Sequence, residues 1–188
     1  SNASGKSTFL KAGALCALLS QSLCTAPAER YAAASFHIYS SMAIQDDVIA
    51  GESYFIAEIR SLKRIWDAAN RGERILCVID EVLRGTNTVE RVAASSELLA
   101  RLNRGNVLCL AATHDMELCA LLSPAFELKH FTERIEGGEI LFDYLLKDGP
   151  ATSRNAIRLL SLMGFDEMLT ANAAQKAETF FKTGRWDA

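Results

Sequence analysis

No run of basic residues occurs in this chain, where 20 Lys and Arg face 23 Asp and Glu and leave a formal net charge of −3. Duplex nucleic acid is gripped largely through phosphate neutralisation by clustered Lys and Arg. The segment is therefore not expected to hold a nucleic-acid backbone by itself. An apolar stretch long enough to cross a bilayer is lacking, and so is a secretory leader, which predicts a cytoplasmic protein without membrane contact from this domain. The five cysteines (Cys16, Cys24, Cys77, Cys109, Cys119) include no C-x-x-C pair, and their odd number offers no disulfide framework. They read as buried free thiols in a reducing interior, acting as small hydrophobes. No internal repeat or low-complexity tract is visible.

What remains is the length and composition of one compact α/β domain: 188 residues, 49% apolar and 23% charged. The opening Ser1-Asn2-Ala3 reads as the scar of a removed expression tag. The domain proper is then expected over 4–188, starting inside a motif as if cut from a longer protein.

Residues 9–23 are rich in Ala and Leu and predict a helix apolar nearly all round, hence mostly buried. A short strand is expected over 33–39 and a polar loop through Gln45-Asp46-Asp47 to Gly51. Phe55, Ile59, Leu62 and Ile65-Trp66 recur at three- and four-residue spacing, predicting an amphipathic helix that ends near Asn70 and Gly72. The run Ile75-Leu76-Cys77-Val78-Ile79 predicts a central parallel strand buried on both faces and ending in Asp80-Glu81. A turn over Arg84-Gly85-Thr86-Asn87-Thr88 leads to a helix over 89–102. A second buried strand follows over 107–112, ending in Thr113-His114-Asp115, where Asp115 is placed to cap a short helix. Between 126 and 147, two strand-like stretches flank Glu136-Gly137-Gly138-Glu139, a hairpin signal. From Thr152 the tail reads as two helices broken at Gly164. Strands alternating with helices predict a mostly parallel sheet flanked by helices, with a β-hairpin and a helical C-terminal tail.

Three clusters carry chemistry. Gly5-Lys6-Ser7 is the closing half of the phosphate-binding pattern G-x-x-x-x-G-K-[ST]. In it, backbone N–H groups at a helix N-terminus face a β-phosphate and Lys6 reaches the β/γ oxygens. Ser7 is then a ligand for Mg²⁺. The alternative is a solvated helix start with a surface lysine. Asp80-Glu81, at the exit of a buried strand, forms a carboxylate pair that needs a cation or ligand to compensate it. In an ATPase the first carboxylate holds Mg²⁺ and the second polarises the attacking water; the alternative is a strand end that reaches solvent. His114 ends the next strand, and parallel strands bring their C-terminal ends to one edge. Lys6, Asp80, Glu81 and His114 are therefore expected to converge, with His114 sensing or donating to a γ-phosphate.

SGKSTFLK, GESYFIAEI, ILCVIDEVLRGTNT and LAATHDMEL stand in the order and approximate spacing of the MutS ATPase domain, and the chain resembles that family from Ser4 to about Gly164. The block after Asp80, D-E followed by R-G-T-x-T, is the most specific part. The resemblance implies a P-loop NTPase of ABC type that binds and hydrolyses ATP with Mg²⁺ and works as a homodimer through its nucleotide interface. It implies ATP contacts from Ser4, Gly5, Lys6, Ser7 and Thr8, and from Ser53 reaching the partner's γ-phosphate; an ordinary helix cap is the alternative for Ser53. Asp80 and Ser7 are the implied metal ligands, and Glu81 and His114 the implied catalytic groups. Arg84 to Thr88 resembles a loop crossing the dimer interface, and Gln45-Asp46-Asp47 a segment coupling nucleotide state to the rest of the molecule. Mismatched or branched DNA is the implied partner, through other domains.

There are departures. Leu83 stands where mismatch-repair members usually have glycine and Asn87 where they usually have serine. The stretch from Gly149 to Ile157 follows the family only loosely, and no helix-turn-helix extension closes the chain. These features are closer to MutS-related branches that do not act on mismatches. A transporter subunit of the same ABC-type plan is the other reading, ranked lower because Ile49-Ala50-Gly51-Glu52 stands in place of an L-S-G-G-Q segment. A binding module with vestigial chemistry is ranked below it because Glu81 and His114 are both present. A chain beginning at Ser4 lacks the first glycine of the phosphate pattern, so weak ATP binding and slow hydrolysis are expected of it.

Overall fold

A computed structural model describes residues 5–42, 54–136, 139–151 and 155–186. At its centre is β2 (Ile75–Asp80), whose first five residues are all buried. The reason is its position. It pairs in parallel with β1 (His37–Ser41) on one edge and with β3 (Val107–Ala112) on the other, in the order β1-β2-β3. The two-residue period of a strand then sends alternate side chains to opposite faces. Ile75, Cys77 and Ile79 pack with Leu62, Ile65, Leu99, Leu102 and Leu118, whereas Leu76 and Val78 pack with Leu10 and Ala17. Each fully buried aliphatic side chain contributes about 1.5–3 kcal/mol, so an uncharged, apolar run here holds both layers together.

Four helices cover this sheet: α1 (Lys6–Leu23), α2 (Tyr54–Asn70), α3 (Thr88–Leu102) and α4 (Met116–Leu122). The expectation that the first helix is mostly buried is corrected. Only Leu10 and Ala17 are buried, and Phe9, Leu15, Leu18 and Leu23 are exposed, because three strands offer just one stripe of sheet for the helix to cover. The buried stripe of α2 runs through Glu58, Ser61, Leu62, Ile65, Ala68 and Ala69, which leaves Ile59 outside. The third strand is also less buried than expected: in β3 only Ala112 is buried and Leu108 is exposed, since β2 covers one of its edges alone. The first strand begins at His37 because Gln21 takes up the Phe36 backbone on both sides, accepting its N–H at 2.6 Å and donating to its carbonyl at 3.1 Å. All five cysteines are free, and the expectation of burial holds for Cys77 and fails for Cys24, which is exposed.

The remaining strands are short and antiparallel. β4 (Lys129–His130) pairs with β7 (Lys147–Asp148), and β5 (Glu133–Glu136) pairs with β6 (Glu139–Phe142) around the expected hairpin, whose Gly137 and Gly138 lie outside the described residues. The tail forms α5 (Ala156–Leu162) and α6 (Glu167–Thr183), separated near Gly164. The chain divides into two compact units rather than one: residues up to 131 with 146–150, and 132–145 with 151 onward.

This architecture corrects the expected P-loop NTPase fold of ABC type with a mostly parallel sheet. Among the described residues the parallel sheet has three strands, and the other strands form two separate two-stranded antiparallel ladders. The physical reason lies in the later segments. β5 pairs with β6, its immediate neighbour in the chain, and β4 and β7 are only two residues long, so neither ladder extends the parallel sheet. The result is a small mixed α/β structure with six helices among the described residues.

Candidate functional site

The C-terminal ends of β2 and β3 and the start of α1 meet on one edge of the first unit. Gly5 sits at φ 103°, a left-handed conformation that a glycine adopts without penalty, and turns the chain into α1. One residue into the helix, the Ser7 hydroxyl donates to the Asp80 carboxylate at 2.5 Å. That contact joins residues 73 positions apart and brings the two lysine-serine and aspartate-glutamate motifs together. Lys6 is half-buried and lines a cavity of about 200 Å³ whose other walls, Phe9, Leu110 and Cys119 among them, are mainly apolar. Thr8 is exposed.

Glu81 lies next to that contact and is buried, at 5% exposure. Its Oε1 is 3.3 Å from His114 Nδ1, and its Oε2 is ion-paired with Arg84 Nε. Oε2 has no aligned hydrogen-bond donor, so Arg84 holds it through charge. Glu81, Arg84, His114, Arg91 and Asp115 surround a second, polar cavity of about 210 Å³. Lys6, Ser7, Asp80, Glu81 and His114 thus all lie at this edge, with Lys6 on the first cavity, Glu81 and His114 on the second, and the Ser7–Asp80 contact at the element ends beside them. Ser4, Ser53 and Gln45-Asp46-Asp47 lie outside the described residues.

The turn after Glu81 is built under strain. Glu81 and Leu83 have φ of 60° and 57°, in the left-handed region that costs roughly 1–2 kcal/mol for a residue with a Cβ. Glycine would adopt the Leu83 conformation freely. Glu58, almost fully buried on α2, crosses to this turn and accepts the N–H groups of Leu83 at 2.5 Å and Arg84 at 3.1 Å. Burial holds the Glu58 carboxyl above its ordinary value, and these two backbone donors offset only part of that rise. At the far end of the turn Asn87 accepts the Glu90 N–H at 3.0 Å and caps α3. Asn serves this purpose as well as Ser does, so its substitution for serine leaves the cap intact.

Asp115 is the N-cap residue of α4, yet its carboxylate makes no capping bond. The capping expectation is corrected: both oxygens accept from Arg91, at 2.9 Å from Nε and 2.8 Å from a terminal nitrogen. A bidentate charged pair is stronger than a neutral cap, and it raises the Arg91 guanidinium further above its ordinary value. The pair ties α3 to the segment that carries Thr113 and His114.

Among the described residues no group of three or more His, Cys, Asp and Glu is arranged around a metal position. The Ser7–Asp80 pair nevertheless fits Mg²⁺. That ion is commonly held by one or two carboxylates with phosphate and water completing its shell.

Reasoning from the sequence missed Glu58, Arg91 and the second role of Asp115. Glu58 could have been found, since it falls at helical spacing on the stripe of Leu62 and Ile65, where a carboxylate is out of place unless it is paired. Nothing in the spacing of Arg91 and Asp115 announces their pairing.

Comparison with known proteins bears on this edge. The family described as MutS domain V matches residues 1–181. The chain is 34% identical over 173 residues to the DNA mismatch repair protein MutS of Thermus aquaticus, covering 92% of this chain and 21% of that protein. It is 33% identical to the protein of the same name from Thermus caldophilus, with the same coverage. To that of Bacillus mycoides it is 32% identical over 178 residues, 93% of this chain and 20% of the relative. The chain therefore spans about a fifth of the length of the curated relatives it matches. The match is to domain V and gives no support to an ABC-type P-loop fold. Because that match runs through nearly the whole sequence, including the strained turn, the carboxylate pair and the start of α1, the chain belongs to the MutS domain V family.

Proposed function

We propose that this domain binds and hydrolyses ATP and that the cycle drives conformational change in a DNA mismatch repair protein. The observation that carries the reading is the Ser7–Asp80 hydrogen bond, which sets a helix N-terminus against a strand-end carboxylate with the buried Glu81 beside it. Gly5, Lys6 and the first N–H groups of α1 bind the phosphates, where the positive end of the helix favours anionic charge. Ser4 and Thr8 complete that contact. Ser7 and Asp80 would hold Mg²⁺, which when bound neutralises phosphate charge. Glu81 accepts a proton from the attacking water, and its burial keeps competing solvent away from its oxygens. His114 donates a hydrogen bond to the γ-phosphate oxygen. Ser53 of a second copy reaches the same phosphate, so the working form is a homodimer through the nucleotide face. Mismatched or branched DNA is contacted by other parts of the protein, in keeping with the net charge of −3.

The test is steady-state ATP hydrolysis by the protein at its full natural length, alone, with matched duplex and with mismatched duplex. A rate changed by the mismatch and not by the matched duplex supports the whole reading. Turnover indifferent to DNA removes the mismatch from it, and absence of turnover ends the ATPase assignment.

A further inference from the structure

We infer that Glu58 is a positioning residue for hydrolysis, acting on Glu81 through the turn between them; this rests on the ATPase reading above. Three observations converge on it. Glu58 is a carboxylate at 1% exposure in a helix stripe otherwise made of small and apolar side chains. Such burial is costly without partners, and its two oxygens accept two consecutive backbone N–H groups, those of Leu83 and Arg84. Those two residues belong to a turn with left-handed non-glycine residues at Glu81 and Leu83, a conformation that persists only where the surroundings over-determine it. Glu58 supplies that constraint from a different element. The same turn carries both ends of the Arg84–Glu81 ion pair.

The consequence is geometric. With Leu83 and Arg84 N–H groups fixed to α2, the Arg84 guanidinium is held against Glu81 Oε2 while His114 faces Oε1. The Glu81 carboxylate is thereby oriented from both sides before any nucleotide arrives. Loss of the Glu58 anchor frees the turn to relax toward ordinary φ values, and the carboxylate swings with it. A misplacement of about 1 Å costs on the order of 100-fold in rate. Phosphate binding, which this reading assigns to α1, does not pass through the turn.

The experiment is ATPase kinetics and fluorescent-nucleotide binding on the full-length protein, comparing the parent with Glu58→Gln and Glu58→Asp. Gln keeps the volume and one acceptor oxygen but turns an NH₂ toward the second backbone N–H. Asp keeps the charge and is one methylene short. The expected result is a kcat reduced on the order of 10- to 100-fold in Glu58→Gln with KM for ATP and nucleotide affinity within about twofold. Glu58→Asp shows the same split to a smaller degree and decides the matter if the Gln variant does not fold. Unchanged kcat in both folded variants, or kcat and nucleotide affinity falling together, overturns the proposal. A parent protein without turnover overturns the ATPase reading itself, a failure recognisable before any variant is compared.

Discussion

Replacing Gly85 by alanine tests how tightly the turn after Glu81 is packed against α2. A Cβ built on Gly85 lies 2.9 Å from Phe55 Cβ, 2.9 Å from Phe55 Cδ2 and 3.1 Å from Phe55 Cγ. Carbon atoms in contact prefer about 3.5–4.0 Å, so three overlaps of several tenths of an ångström arise at once. Turning the Phe55 side chain about its Cα–Cβ bond relieves two of them. The third involves Phe55 Cβ, which moves only with the backbone of α2, so either the first turn of that helix or the 82–86 turn must shift. Overpacking of this kind costs about 1–3 kcal/mol. For a domain of this size that corresponds to a fall in melting temperature of roughly 2–10 °C, readable by circular dichroism. In a Phe55→Ala background two of the three overlaps vanish, and Gly85→Ala should cost at least about 0.5 kcal/mol less than in the parent. A Gly85→Ala protein melting within about 1 °C of the parent, or the same cost in both backgrounds, would refute the packing described for this turn.

Two further substitutions probe the supports around the site. Arg91→Ala leaves the buried Asp115 carboxylate without its two charged donors and should lower stability by about 3 kcal/mol, the low end for a broken buried pair because both side chains keep some exposure. Arg91→Lys should recover part of this, and urea unfolding of the two variants is the check; a loss under about 0.5 kcal/mol contradicts the pairing. Glu73 is held below the ordinary glutamate value of 4.5 by hydrogen bonds from Arg71 and then from Tyr39. A depressed folded-state value stabilises the fold above the unfolded value and loses that contribution as pH falls through the depressed one. The stability difference between the parent and Glu73→Gln should therefore be present at neutral pH and shrink on acidification below about 4.5; a pH-independent difference in parallel unfolding curves contradicts the assignment.

The central strand was legible because a five-residue apolar run has few places to go except between two neighbours and two layers, and Ile75 to Ile79 are all buried. The strand over 107–112, the helix after the 84–88 turn and the hairpin were legible for similar local reasons: a second apolar run, turn residues ahead of a helical pattern, and two adjacent glycines. What local pattern could not give was the extent of the sheet. Strand-like composition after residue 126 says nothing of which edge a strand joins, and these segments closed on each other, so the larger parallel sheet did not follow. Burial of α1 was misread for the same reason, since the width of the sheet decides how much of a helix is covered. At the site, the motif residues Ser7, Asp80, Glu81 and His114 were legible from their places at element ends, whereas the Arg91–Asp115 pair depends on tertiary approach across 24 positions. Leu83, read only as a departure from the family pattern, proved to occupy a left-handed position that suits glycine.

Glu81→Gln in the full-length protein separates nucleotide binding from turnover. ATP affinity by calorimetry and single-turnover phosphate release should be measured side by side with the parent. The variant is expected to bind ATP with affinity within a fewfold of the parent and to release phosphate at least about 100-fold more slowly. Phosphate release at the parental rate would contradict the role of Glu81 and with it the proposed hydrolytic site.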